Sequence, residues 1–335
     1  MEVTTQRLKS RAGKQAQVPL DAELDASGWS PGALTALLDL CARLPFQEAS
    51  VVAGNFGLKV SDSELERLTR PMGAATQAAV RERLAEVPEA PQERRAGRVM
   101  VLQVDGVYVL GRPEEGACPG LEVKTAVIYP QAAPDERWLL ADVTPATDFM
   151  QQVDGLTRAA GVTPQDELIG LSDGAAWIEA GFDTLGINRV TDVYHATEYL
   201  EEVMIALGWE ADERAAHRRA WCRGEVNARD WLHEHQPAPE ELTTWSATAI
   251  TALNYLTERL NSMDYATFTS RGYPIGSGQV EGMNKNVIGT RLKRSGMHWS
   301  RPGAGRMASI RAQLLAKHPL TSFEQLRHHA YQPPP

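Results

Sequence analysis

From Arg98 onward the apolar residues of this 335-residue chain change rhythm, and that change limits the folds it can adopt. Four short apolar runs follow closely on one another, Val99–Val104, Val107–Leu110, Leu121–Tyr129 and Trp138–Val143, each about the length of a strand. Strand and helix patterns then alternate. Asp148–Ala160 reads as a helix, Glu167–Leu171 as a short buried strand, Gly174–Ala180 as a helix and Arg189–Tyr194 as a last strand. Strands crowded together and then alternating with helices predict a mixed α/β sheet with flanking helices. From His195 to about Ser270 the composition is almost entirely helical, with Trp209, Trp221, Trp231 and Trp245 spaced through it. Their first use is expected to be a local core, with part of an interface between copies as the second. Gly276-Ser277-Gly278 then turns the chain into a final helix.

Upstream, residues 1–29 carry Arg7, Lys9, Arg11 and Lys14 and read as a basic arm or the remnant of a larger element. Ser30-Pro31 opens a helix in cap-then-proline order, and Pro45 stops it. Phe46–Phe56 reads as a second helix, broken by Gly57, and Ser61 with Glu64 has capping-box spacing for a third. Three short helices over 30–94 fit either a helix-turn-helix-like DNA-binding region or a generic bundle. Gly73–Glu93 continues as helix into a linker marked by Pro88 and Pro91. Residues 95–335 form the expected second domain, with a helical insertion at about 196–271.

Composition excludes several classes. A chain that is 43% hydrophobic and 23% charged is that of an ordinary soluble globular protein. No apolar run reaches the roughly 18 residues of a membrane span, and Met1–Pro19 lacks the apolar core of a secretory signal. Cys41, Cys118 and Cys222 are odd in number and far apart, which fits neither a disulfide framework nor a CxxC zinc site. A reducing, cytoplasmic setting is expected. The net charge of −9 argues against a polyanionic partner until its distribution is read. Lys285 to Pro319 holds eight Lys/Arg residues and no Asp or Glu, and local field decides where nucleic acid lands.

Three carboxylates are candidates for chemistry, and each has an ordinary reading. Asp105-Gly106 between two apolar runs favours a type I′ hairpin turn. Asp173 follows a strand and precedes a helix, where it can cap the helix or sit at the strand end that α/β sheets use for sites. Glu281, three residues past Gly278, can be a solvated first-turn glutamate. Together they have the residue types that two Mg²⁺ ions need, since few oxygen ligands suffice and paired ions serve in-line phosphoryl displacement.

Five segments, in order and spacing, resemble the insertion-sequence transposases of the ISKra type and their ISLre-type relatives. They are Val104-Asp105-Gly106, Ser172-Asp173-Gly174-Ala175-Ala176-Trp177-Ile178, Asp192-Val193-Tyr194-His195-Ala196, Gly276-Ser277-Gly278-Gln279-Val280-Glu281 and Arg291-Leu292-Lys293-Arg294-Ser295-Gly296-Met297-His298-Trp299-Ser300. They span roughly residues 95–315, and Val18-Pro19-Leu20-Asp21 through Arg67 resembles the helical region that precedes that domain. The resemblance implies an RNase H-like catalytic domain whose metal-binding triad falls on Asp105, Asp173 and Glu281. It implies two Mg²⁺ ions (Mn²⁺ substituting), cleavage at element ends and strand transfer into target DNA. Asp192 and His195 match a signature of less defined role, read here as positioning. Lys285, Arg291, Lys293 and Arg294 are expected on phosphates, with His298 or Trp299 near an unpaired base. A homodimer or larger assembly would meet two element ends in a bacterial, nucleoid-associated setting. Many members also carry an upstream cysteine-rich segment that looks zinc-binding; none is found here. A related nuclease, or a decayed copy retaining only DNA binding, would share most of these features.

Overall fold

The computed structural model describes residues 7–9, 15–17, 27–88, 97–113 and 119–331. Several sequence expectations lie outside them: most of the basic arm, Val18-Pro19-Leu20-Asp21, Cys118, and the linker beyond Pro88. Within the arm, β1 (Arg7–Lys9) and β2 (Gln15–Gln17) pair antiparallel.

Helices α1 (Pro31–Arg43), α2 (Phe46–Asn55) and α3 (Asp62–Glu86) follow. Ser61 caps α3 through Glu64 N–H, as its spacing predicts. The third helix is not short, however. It runs 25 residues straight through Pro71, and the separate stretch expected from Gly73 is its second half. Proline removes one backbone bond, but the buried stripe Leu65, Leu68, Met72, Thr76, Val80 and Leu84 continues across it at helical spacing.

The sheet contains β3 (Val99–Leu110), β4 (Gly120–Pro130), β5 (Trp138–Asp142), β6 (Glu167–Ser172) and β7 (Asn188–Thr191). Their order is β5-β4-β3-β6-β7: the first three form an antiparallel meander, and β6 and β7 run parallel to β3. Helix α4 (Ala146–Ala159) connects β5 to β6, and α5 (Ala176–Thr184) connects β6 to β7. This is an RNase H-like α/β fold. Two sequence readings are corrected here. Asp105-Gly106 is not a turn, because Asp105 faces Thr125 and Gly106 faces Lys124 within one unbroken ladder. Extending the strand pairs every residue to Leu110 and buries Val109 beside Leu121, which a turn at Asp105 would forfeit. The last strand also ends at Thr191, since Asp192 caps the next helix.

Strand alternation sends two residue sets to opposite faces. Met100, Leu102 and Val104 pack under Leu84, Phe149 and Ile178 of α3, α4 and α5. Val101 and Val109 pack under the C-terminal helices described below. The insertion comprises α6 (Val193–Ala206), α7 (Ala211–Cys222), α8 (Ala228–Glu234), α9 (Pro239–Leu242), α10 (Ala247–Glu258) and α11 (Tyr265–Ser270). It has its own core, in which Trp221 and Trp231 are 0% and 4% exposed and Trp209 and Trp245 pack at the margin.

The chain then forms α12 (Gly278–Met283), a π-helical segment (Asn284–Gly289) and α13 (Thr290–Leu292), a continuous rod over 278–292. Last come α14 (Arg301–Leu315) and α15 (Phe323–Ala330). Helix α15 returns to the N-terminal helices, where Leu326 and Tyr331 share a core with Leu37, Leu65 and Met72. No helix among the described residues is long and apolar enough to cross a membrane.

Asp142, 2% exposed at the end of β5, fastens α3 to the sheet. Its carboxylate accepts from Gln77 Nε2 (2.8 Å), Val143 N (2.7 Å) and Arg81 Nε and Nη2 (3.1 and 2.8 Å). Asp142→Ala leaves those donors unpaired and is expected to lower unfolding free energy by about 3 kcal/mol. Denaturant melts of both proteins measure this, and a loss below about 1 kcal/mol would contradict the anchoring role.

Candidate active site

The β3–β6 ladder places the first two carboxylates. Its last parallel pair is Gln103 opposite Leu171. Asp105 stands two residues further along β3, and Asp173 follows directly on Ser172, the last residue of β6. Beyond Ser172 the chain turns away through Gly174, whose φ of +87° suits glycine. The edge of β3 is therefore left open at Asp105.

Asp105 is held at both oxygens. Oδ1 accepts from Gly106 N at 2.7 Å, and Oδ2 accepts from Asn284 Nδ2 at 2.5 Å. Asn284 Oδ1 in turn accepts from Thr125 Oγ1 at 2.7 Å, so one amide joins β3, β4 and the π segment. Burial pushes the Asp105 carboxyl up to about 6, against the Gly106 N–H, and the charges of Asp173 and Glu281 add to the rise while His195 opposes it. Asp105, Asp173, Glu281 and His195 thus share one local field.

Asp173 does not cap α5, whose N-cap is Ala175; it stands at the strand end and closes a turn by accepting from Ala175 N at 2.9 Å. Its main chain is braced from the insertion. Tyr255 Oη donates to the Asp173 carbonyl at 2.6 Å, and Arg259 Nη2 to the Gly174 carbonyl at 2.9 Å. Arg259 lies over the Tyr255 ring at 4.1 Å and pairs with Glu179 at 2.8 Å.

Glu281 is carried by α12, whose start is fixed twice. Val280 N donates to Gln103 Oε1 at 2.9 Å, tying the helix to β3. Ser277 N donates to Asp192 Oδ2 at 2.5 Å, while Asp192 Oδ1 accepts from Tyr194 N (2.7 Å) and His195 N (3.1 Å). Asp192, 0% exposed, is therefore a structural link between α6 and the glycine turn. The His195 ring is part-exposed, with Nδ1 3.9 Å from Glu198.

The donor set suits a hard divalent cation: all oxygen, with like charges that a cation would offset. Among the described residues no three His, Cys, Asp or Glu side chains stand close enough, as placed, to hold one ion together. Glu281 is exposed, and its Oε1 accepts from Ser277 Oγ at 2.9 Å.

The basic stretch does not form one helix face. Lys285, Lys293, Arg294 and His298 are exposed, and Arg294 pairs with both oxygens of Glu48 at 2.9 Å. Arg291 corrects the expectation of a phosphate contact. It is 1% exposed, donates to the Cys41 carbonyl at 3.0 Å and lies between Phe46 and Trp299, and burial lowers its pKa to about 10. Trp299 is half-buried, its Nε1 donating to the Leu292 carbonyl at 3.0 Å. Sequence reasoning missed Gln103, Asn284, Tyr255 and Arg259. A glutamine inside the apolar run Val99–Val104, and an asparagine one helical turn after Glu281, were the available signals.

No family model and no curated protein matches the chain. Two solved structures resemble it: the Mos1 strand transfer complex, at 14% identity and a TM-score of 0.19 over 71% of this chain and 78% of that one, and a Drosophila P element transposase strand transfer complex. The latter has 9% identity and a TM-score of 0.29 over 96% of this chain and 84% of that one. Likenesses this loose carry no weight by themselves.

Asp105 also sets a pH dependence. Its folded pKa of about 6 lies above the unfolded value of about 3.9, so the folded state holds the proton longer. Its contribution to stability is present below pH ~4 and lost as pH rises to ~6. Metal-free Asp105→Asn should match wild type near pH 4 and exceed it by on the order of 2 kcal/mol above pH 6. Thermal melts across that range test this; a pH-independent difference would sink the buried-carboxyl reading. Arg291→Ala should cost on the order of 3 kcal/mol, while exposed Lys293→Ala leaves the same melt unchanged.

Proposed function

We propose that this chain is a DNA transposase of the ISKra type, using Asp105, Asp173 and Glu281 to hold two Mg²⁺ ions, with Mn²⁺ able to substitute. The reaction is hydrolysis of a phosphodiester at an element end, followed by attack of the freed 3′-hydroxyl on target DNA. The supporting observation is the pair of aspartates across the open end of β3 and β6, with α12 holding Glu281 in their field. Bound divalent ions supply Lewis acidity and offset phosphate charge in such chemistry.

The chain's own residues do the positioning. Asn284 fixes the Asp105 rotamer, Tyr255 and Arg259 hold the turn carrying Asp173, and Asp192 with Ser277 sets the entry of α12. That division suits phosphoryl transfer, where placement and charge matter more than covalent help. His195, part-exposed in the first turn of α6, is read as positioning the site or DNA. Lys285, Lys293, Arg294 and His298 provide an exposed basic surface for it, and residues 30–94 a second DNA contact. Two element ends call for a dimer or larger working assembly, in a bacterial, nucleoid-associated setting.

Duplexes from either side of the gene, intact and pre-cleaved at the 3′ end, test the reading. Cleavage and joined products are expected with Mg²⁺ or Mn²⁺, while Ca²⁺ should bind with little turnover. Asp105→Ala, Asp173→Ala and Glu281→Gln should each fall to background while melting as folded proteins. Full activity in any one of them, or activity surviving EDTA, overturns the assignment. Cleavage without joining would make the chain a nuclease.

A further inference from the structure

Helix α12 separates two environments. Glu281 shares the field of Asp105, whereas Gln279, two positions earlier and so on another side of the helix, turns toward β5. There its Oε1 accepts from Arg137 Nη1 at 3.2 Å, one residue ahead of that strand. On this side a cavity of about 290 Å³ opens between the rod over 278–292, β5 and α14. Arg137, Gln279, Asn286, Thr290 and Arg311 supply its polar lining, and no carboxylate stands among the described lining residues. Arg311 is 4% exposed and donates to the carbonyls of Asn286, Val287 and Ala42 and to Thr290 Oγ1 at 2.8 Å. None of those partners carries a charge. Burial lowers the Arg311 pKa to about 10, and the charge of Arg43 adds to the drop. Neither Arg311 nor Arg137 has an acidic partner among the described residues.

Hydrogen-bonding capacity in the cavity has the same sign as its charge. Gln279 Oε1, Thr290 Oγ1 and the Asn286 and Val287 carbonyls are all taken by the two arginines. Donors remain: the other N–H groups of Arg137, and Gln279 Nε2, which the Arg137 contact turns away from Oε1. Two cations and spare donors without an anion suit an oxyanion, and the guanidinium fork matches phosphate. The volume, at the lower limit of small-molecule sites, holds a phosphate group with room to spare. One helix diameter, about 10 Å, separates this side of α12 from the side of Glu281, or some three nucleotide steps of 3.4 Å. Gly282 lines the cavity between them. A Cβ there would meet nothing within 4 Å, and its φ is not positive, so the fold has no need of glycine at this position. Glycine is also among the poorest helix formers. Close passage of a DNA backbone over the helix explains why the position is bare.

We propose that this cavity binds a backbone phosphate of the DNA strand flanking the scissile bond, held by Arg137 and Gln279 where the strand crosses the rod at Gly282. The contact lies outside the basic stretch that begins at Lys285. It rests on the reading of the chain as a DNA enzyme, and the test separates the two.

Fluorescence anisotropy in EDTA, where no strand is cut, measures affinity for a duplex from beside the gene over a series of salt concentrations. Arg137→Gln should flatten the plot of log affinity against log salt by about 0.9, the share of one phosphate, which is about eightfold in affinity at ~0.1 M salt. Gly282→Leu fills the rim without meeting the protein and should weaken binding by a similar factor. Both should melt no lower than wild type; if Arg137→Gln does melt lower, Gly282→Leu decides alone. Arg219→Gln, an equal loss of charge on exposed α7, should leave the slope unchanged. An unchanged slope in Arg137→Gln, full affinity in Gly282→Leu, or an equal flattening in Arg219→Gln overturns the cavity assignment and leaves the proposed function standing. Wild type that binds no duplex sinks both. Melts in inorganic phosphate against chloride at equal ionic strength separate the two sources of phosphate. A rise in phosphate that Arg137→Gln abolishes, with the DNA slope unmoved, would mark a free-phosphate site and end the strand assignment.

Discussion

Strand β3 is paired along its whole length on one side and along only its first part on the other. Its antiparallel partner β4 runs from Pro130 to Gly120, whereas the parallel ladder with β6 stops at Gln103 opposite Leu171. A sheet interior becomes a sheet edge at that point, within a single strand. Asp105 sits there, backed by packed strand on one side and facing open space on the other. A carboxylate deep in the ladder would be fully desolvated and neutral, and one on a free loop would lack a fixed direction. The uneven pairing gives Asp105 partial burial together with access.

Everything else near the site steadies that edge. The π-helical segment brings the Asn284 amide between Asp105 and Thr125, and π segments expose backbone carbonyls that need donors. Arg311 supplies them, donating to the carbonyls of Asn286 and Val287 from α14, and to that of Ala42 at the end of α1. Asp192, fully buried, accepts from three backbone N–H groups, which offsets the penalty of enclosing its charge. Such a network acts as a unit, so loss of one donor is felt by the others.

Much of this was legible in the sequence, because apolar periodicity reports which side of an element is buried. The mixed sheet, the β6–α5–β7 alternation and the helical stretch after His195 follow from spacing, and Ser61 and Pro31 occupy the helix-start positions their types suggest, whereas Asp173 lies two residues ahead of the α5 cap. Asp105-Gly106 misled for a physical reason: the dipeptide is intrinsically turn-prone, yet long-range pairing with Thr125 and Lys124 overrides a local preference. The basic stretch misled differently. Charge counts do not reveal direction, and Arg291 and Arg311 point inward to helix-end carbonyls while Lys285 and Lys293 point out. The braces on Asp173 were invisible because Tyr255 and Arg259 lie more than eighty residues from it, with no local pattern joining them.

The guanidinium contacts to α1 also order events in time. Arg291 reaches Cys41 across 250 positions, Arg311 reaches Ala42 across 269, and Tyr331 donates to Leu68 across 263. A growing polypeptide emerging from the ribosome exposes α1–α3 first, with their carbonyl ends uncapped and the apolar seat of Leu326 and Tyr331 vacant. Contacts so distant along the chain are the last to close and the slowest. The N-terminal helices therefore spend most of synthesis as an unsealed, sticky intermediate. Nascent chains halted before α14 should be held by chaperones, and release should coincide with the arrival of the final two helices.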